Sequence, residues 1–69
     1  MSFTGTVKFF NVASGFGFIA PQDGSKDVFV HRSAVERAGL NTLSENQQIS
    51  FALERASDGK VYAVDLKLL

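Results

Sequence analysis

The chain has 69 residues, of which 45% are hydrophobic, and its seven Lys and Arg residues balance seven Asp and Glu residues to a formal net charge of zero. This length and composition predict one globular domain spanning residues 1–69 and exclude a disordered polar chain. There is no cysteine for a disulfide framework, no basic signal-peptide start and no run of about 18 apolar residues, so we expect a cytoplasmic protein away from the membrane.

Alternating apolar residues predict three successive strands in the first half of the chain. They are expected over residues 5–11, 16–20 and 27–31. Turn-forming residues separate the second strand from the third, at residues 21–25. Three such strands in sequence form an antiparallel meander.

The first strand leaves the direction of one phenylalanine open. Strict alternation places Phe9 inside with Val7, and Phe10 outside with Lys8. A local bulge or a strong twist would instead turn Phe9 to the outer side. The residues alone do not decide between these two arrangements.

The second half predicts one helical turn and two further strands. Ser33 and Glu36 form a capping-box pattern, and Gly39 offers a left-handed stop. A fourth strand is expected to point Ile49, Phe51 and Leu53 inward. After a tight turn at residues 58–59, a fifth strand starts at about Val61. Leu66, Leu68 and Leu69 form the apolar end of this strand and are expected inside. Asp65 and Lys67 are expected toward solvent.

These elements predict an all-β fold. Five short strands with a long connection after the third are typical of a five-stranded antiparallel Greek-key barrel of the oligonucleotide-binding type (OB-fold). Barrel closure also removes the exposed strand edges that promote aggregation. The one short helical turn is expected after the third strand.

The second and third strands each have an aromatic side and an aliphatic side. Phe16 and Phe18 share one side of the second strand, and Phe29 and His31 share one side of the third. The opposite sides carry Ile19, Val28 and Val30. So small a chain encloses one core, for which the β-branched residues are the natural lining, and the rings are left on the surface. Exposed flat rings suit stacking on unpaired nucleobases, and we expect the glycines between them to keep the rings accessible.

Three segments resemble motifs of the bacterial cold-shock protein family. Residues 14–19 (SGFGFI) and 28–31 (VFVH) resemble its two RNA-binding motifs, and residues 8–11 (KFFN) resemble its first-strand motif. The family pattern places the position of Phe9 on the binding face. The resemblance implies a protein that binds single-stranded RNA or DNA and acts as an ATP-independent RNA chaperone under stress, with a role in transcription or translation. A monomer is the default expectation for a chain of this kind. The expected nucleic-acid-binding residues are Lys8, Phe9, Asn11, Phe16, Phe18, Phe29, His31 and Arg32.

The chain departs from the family pattern at several of its binding positions. Phe9 stands where Trp is usual, and Ser14 stands where a Lys would contact phosphate. Arg32 and Leu40 replace aromatic residues. Arg32 can still lie on a base or pair with a phosphate, and Lys8 is either a phosphate contact or a solvated charge.

Other functions have weaker support in the sequence. His31 is the one histidine, and without a cysteine or a carboxylate at ligand spacing it predicts no metal site and no cofactor. It also lacks a nucleophile in an activating motif, so no enzyme is expected. The Gly15-x-Gly17 pair continues into a strand, unlike a phosphate-binding loop. The alternative, favoured slightly by zero net charge, is a protein- or oligosaccharide-binding module that uses the same rings.

Overall fold

The computed structural model describes residues 3–69, which form a closed barrel of five strands in the order β1-β2-β3-β5-β4, with one short helix. The strands are β1 (Phe3–Asn11), β2 (Phe16–Pro21), β3 (Val28–His31), β4 (Gln48–Arg55) and β5 (Val61–Leu68), and the helix is α1 (Arg32–Arg37). This confirms the predicted Greek-key barrel of the OB type. Neighbouring strands are antiparallel except at the closing seam, where β3 and β5 run parallel and Phe29 pairs with Tyr62.

The barrel interior is aliphatic, as the sequence predicts. Its buried residues are Val7, Ile19, Val28, Val30, Ala34, Val35, Leu43, Ile49, Phe51, Ala63 and Leu66. Because the inward side chains of β2 and β3 fill this core, their aromatic sides face outward. The core therefore fixes which side of the barrel carries the rings.

Three leucines predicted inside are exposed. Leu53 is 43% exposed because the β4–β5 hairpin extends past the core, so that residues 53–55 all face solvent. On β5, Asp65 has a positive φ of 52°, which breaks the alternation between the buried Ala63 and Leu66. Leu68 and Leu69 lie beyond this last buried position. The inward prediction holds for Leu66 alone among the three terminal leucines.

A bulge in β1 decides the orientation that the sequence left open. The register with β2 shifts between Val7, which pairs with Ile19, and Phe9, which pairs with Phe18. Phe9 is thereby 39% exposed, while Phe10 packs against the core. The bulge turns Phe9 to the side that carries the other rings.

Gly17 has a different role from the one expected of it. It is buried on the inner side of β2, where a Cβ would overlap the carbonyl oxygen of Phe9 and lie 2.8 Å from the Cα of Phe10. The glycine thus lets the bulged strand pass close to β2, which places Phe9 on the surface. It does not serve to uncover the neighbouring rings.

The start of α1 differs from the predicted capping box. The helix begins at Arg32, and its N-cap is His31, whose side chain accepts a hydrogen bond from the backbone N–H of Ser33. Ser33 is therefore the second helical residue, because the imidazole already supplies the capping acceptor. The predicted stop is confirmed, since Gly39 has a φ of 79° and its N–H donates to the Glu36 carbonyl at 2.9 Å.

The loop between β2 and β3 is closed by local hydrogen bonds. The Ser25 hydroxyl and the Ser25 N–H, which donates to Oδ1 at 2.9 Å, lower the pKa of the Asp23 carboxyl. The carboxylate therefore supports the turn above its ordinary pKa, and this support is lost as the pH falls through the lowered value. Gly24, with a φ of 83°, completes the turn.

Within residues 3–69, no helix has the length and apolar content that crossing a membrane requires.

Candidate nucleic-acid interface

Five aromatic rings from four strands form one continuous surface, which we call the aromatic face. They belong to Phe9, Phe16, Phe18, Phe29 and Tyr62. Each ring lies within 6.3 Å of at least one other, measured between centroids, which is the range of favourable aromatic contacts. The rings therefore hold one another in place.

The ring planes within the aromatic face follow a simple pattern. Phe16 and Phe29 are nearly parallel, with centroids 5.5 Å apart and planes 10° apart. Phe18 lies edge-on to both, at 6.2 Å from Phe16 and 5.7 Å from Phe29. These three rings are half-buried, so part of each ring surface is open to solvent. Ring surfaces that are fixed before a ligand arrives lose little conformational entropy on binding.

Phe9 joins the face through the bulge in β1. Its ring lies 5.6 Å from that of Phe18 and 6.3 Å from that of Phe16. Phe9 is the most exposed of the five rings, at 39%, and it directly follows Lys8 in β1.

Tyr62 is the member that the sequence interpretation missed. It pairs with Phe29 across the parallel seam, and the two rings meet edge to face at 5.2 Å. Alternation along β5 was a usable signal, since Tyr62 must point away from the buried Ala63. The contact between Tyr62 and Phe29 depends on which strand β5 pairs with. That pairing joins residues far apart in the sequence, so the local pattern does not reveal it.

Both of the predicted cationic residues, Lys8 and Arg32, are already in ion pairs. Lys8 Nζ lies 3.0 Å from Asp27 Oδ2, and Arg32 Nε lies 3.9 Å from Glu36 Oε2. All four side chains are 40% or more exposed. Exposed ion pairs of this kind contribute about 0–1 kcal/mol, so a phosphate can replace either acidic partner at low cost.

The predicted polar residues Asn11 and His31 each accept a backbone hydrogen bond that stabilises the local fold. Asn11 Oδ1 accepts the Ser14 N–H at 3.1 Å and so closes the turn between β1 and β2. His31 Nδ1 accepts the Ser33 N–H at 3.1 Å. Because Nδ1 is the acceptor, the proton of the neutral ring lies on Nε2, which has no hydrogen-bond partner among residues 3–69.

The family follows from the sequence comparisons. Residues 3–69 match the family model of the "Cold-shock" DNA-binding domain. A probable cold shock protein of Sinorhizobium fredii is 57% identical over 68 residues, which cover 97% of this chain and 99% of that protein. The cold shock protein CspA of Rhizobium meliloti is 52% identical over 65 residues, with 93% and 94% covered. The chain belongs to the cold-shock domain family.

Membership fixes the general activity. A cold-shock domain is a nucleic-acid-binding, non-enzymatic unit, so this cold-shock-like protein binds nucleic acid and is not an enzyme. Among residues 3–69 no group of three His, Asp or Glu side chains is placed to hold a metal ion.

The departures of this cold-shock domain from the family pattern have distinct locations. Phe9 keeps its place on the aromatic face, while Ser14 is exposed in the turn beside Asn11. Leu40 packs against the core and is not part of the aromatic face. Arg32 follows His31 at the start of α1, and its N–H donates to the Gly15 carbonyl at 2.8 Å.

The capping role of His31 can be separated from a binding role by two substitutions. His31→Ala removes both the cap and the ring, and we expect it to reduce the free energy of unfolding by about 0.5–2 kcal/mol. His31→Asn keeps a capping oxygen and should leave stability nearly unchanged. Both variants should bind single strands more weakly, as measured by oligonucleotide titration beside thermal unfolding. Unchanged affinity in His31→Asn would show that the ring acts only as a cap.

Proposed function

We propose that this cold-shock domain, as a cytoplasmic single-domain monomer, binds unpaired RNA or DNA by stacking bases on the aromatic face, and so acts as an ATP-independent RNA chaperone. The observation that carries the proposal is a surface of five contacting rings on a protein with no net charge. Base–aromatic stacking contributes roughly 1–3 kcal/mol per base and tolerates any sequence. The phenylalanines alone can thus give useful affinity.

Discrimination against duplexes follows from the same chemistry. In a duplex the flat faces of the bases are covered by their neighbours, so the rings have nothing to stack on. Phe16, Phe18 and Phe29 are proposed as the central platforms, with Phe9 and His31 at the sides. Lys8, Asn11 and Arg32 supply hydrogen bonds or phosphate contacts.

Ion pairing should contribute little to the affinity. Lys8 and Arg32 must exchange a carboxylate for a phosphate, and seven acidic groups offset the seven basic ones. The logarithm of the binding constant changes by about −0.7 per phosphate contact with the logarithm of salt concentration for single strands. We expect a slope between roughly −1 and −3 in a titration with oligothymidylate. A much steeper slope would mean that phosphate contacts carry the binding.

Chaperone action then needs no energy source. A ligand that binds only the open form of a hairpin shifts it toward opening by mass action. The test is an RNA hairpin with a fluorophore and a quencher at its ends, mixed with the protein without ATP. The open fraction should rise with protein concentration, and a variant with Phe18 and Phe29 both changed to Leu should have no effect. A hairpin that stays closed while an unstructured strand of the same loop sequence binds would contradict the chaperone proposal.

A further inference from the structure

An apolar groove continues the aromatic face toward the β4–β5 hairpin. It has a volume of about 590 Å³ and lies between that hairpin and the β2–β3 loop. Its apolar lining comes from Phe18, Val28, Phe29, Leu53, Val61 and Tyr62. Leu53 and Val61 are among the exposed large hydrophobic residues of the protein, at 43% and 38%. The groove is thus an apolar surface next to the rings and open to solvent.

Tyr62 forms the boundary between the phenylalanines and this groove. Its ring meets the Phe29 ring edge to face, with 79° between the planes. The flat faces of the Tyr62 ring therefore point in a different direction from those of the Phe29 ring. The Tyr62 hydroxyl lies 3.4 Å from Asp58 Oδ2 in the hairpin turn. The ring is therefore held at both ends, by Phe29 at one and by the hairpin at the other.

The charged side chains that line the groove are two lysines and Asp27, whose carboxylate is paired with Lys8 at 3.0 Å. Lys26 of the β2–β3 loop and Lys60 of the hairpin line it from opposite elements. Among residues 3–69 these two side chains have no ion-pair partner, unlike Lys8. Apolar walls with lysines from two sides fit a nucleotide, whose base has flat faces that can stack on a ring and whose phosphates are negative.

We infer that Tyr62 is the stacking platform for one further nucleobase, beyond those bound on the phenylalanines, with Lys26 and Lys60 contacting the adjoining phosphates. The inference rests on the proposed function and extends its site by one nucleotide. Tyr62 lies on β5, outside the motifs at residues 8–11, 14–19 and 28–31. The bound strand should follow a path from Phe9, across Phe18 and Phe29, to Tyr62.

The first test is a series of oligothymidylates that lengthen by one nucleotide at a time, titrated against the protein and three variants. Affinity for the wild type should rise until the Tyr62 position is filled. Tyr62→Leu, which keeps apolar bulk, should stop gaining one nucleotide earlier and bind the longer strands at least about 5-fold more weakly. Tyr62→Phe keeps the ring and its contact with Phe29 and loses only the long, exposed hydrogen bond to Asp58, so its affinity should stay close to that of the wild type. Lys60→Gln should flatten the salt slope by about 0.7.

The outcomes separate this inference from the proposed function. If the wild type binds no oligothymidylate, the proposed function fails. If the wild type binds and Tyr62→Leu binds equally well at every length, only the Tyr62 subsite fails. A loss of affinity in Tyr62→Leu that is the same for the shortest and the longest strands would also overturn it, because Tyr62 would then act only by supporting Phe29.

A second measurement needs no destabilising substitution. Tyr62 is the only tyrosine and the chain has no tryptophan, so the intrinsic fluorescence of the protein reports on this one ring. Quenching should grow when the strand becomes long enough to reach Tyr62. Tyr62→Phe mixed with free tyrosine amide controls for light absorbed by the bases. Fluorescence that does not change at any strand length, in protein shown to be saturated, would contradict the inference.

Discussion

Changing both Phe18 and Phe29 to Leu is expected to abolish measurable binding of short single strands while the barrel stays folded. Each ring lost should weaken binding by roughly 5- to 150-fold, since stacking contributes about 1–3 kcal/mol per base. Leucine keeps most of the apolar volume of these half-buried side chains, so the neighbouring rings retain a packing partner. The measurement is an oligothymidylate titration, with circular dichroism and thermal unfolding to establish the fold.

Phe3→Leu is the matched control for this prediction. Phe3 is also a half-buried phenylalanine on a strand, but its ring lies 6.1 Å from Phe51 and packs against the core. The same chemical change there should lower stability slightly and leave affinity unaltered. If the double variant is folded and binds as well as the wild type, stacking on the aromatic face is not the source of affinity.

Gly17→Ala is expected to destabilise the barrel strongly. The added Cβ would collide with backbone atoms of Phe9 and Phe10, which a side-chain rotation cannot relieve. Overpacking of this kind typically costs about 1–3 kcal/mol and sometimes more. A domain of this length has a total stability of roughly 3–10 kcal/mol. We expect a large drop in the urea midpoint, and weaker binding in the fraction that stays folded, because Phe9 must move.

Gly24→Ala provides the comparison for that experiment. Gly24 has a φ of 83°, and no atom lies within 4 Å of the place where its Cβ would stand. Alanine there adds only the strain of a left-handed residue, about 1–2 kcal/mol. If Gly17→Ala proved no more destabilising than Gly24→Ala, the close approach of β1 and β2 would not be what requires the glycine.

The sequence predicted the barrel and most of the face because those features depend on local alternation. Phe16, Phe18 and Phe29 fall on one side of their strands by period two, and the aliphatic residues opposite them leave only one possible core. The strand bounds differ by two residues or fewer where the sequence specified both ends. Family motifs then supplied the functional interpretation of that face.

What the sequence could not predict depends on contacts between distant strands. The direction of Phe9 is decided by a bulge that needs Gly17 of the next strand beneath it. Tyr62 reaches the aromatic face only because β5 closes the barrel against β3. Leu53 follows the predicted alternation of side chains along β4, but it is exposed because the β4–β5 hairpin extends beyond the core. The N-cap is His31 and not the predicted Ser33, because the backbone places the His31 imidazole where it accepts the Ser33 N–H.

The most direct test of the account is a chemical-shift titration of isotope-labelled protein, first with a short oligothymidylate and then with a duplex of equal length. We predict that amides of residues 9–18 and 29–32 shift with the single strand and hardly move with the duplex. Shifts of similar size with both ligands, or no shifts with either, would contradict the claim that the aromatic face binds unpaired bases. The second of these results would leave a protein or oligosaccharide partner as the better explanation of the exposed rings.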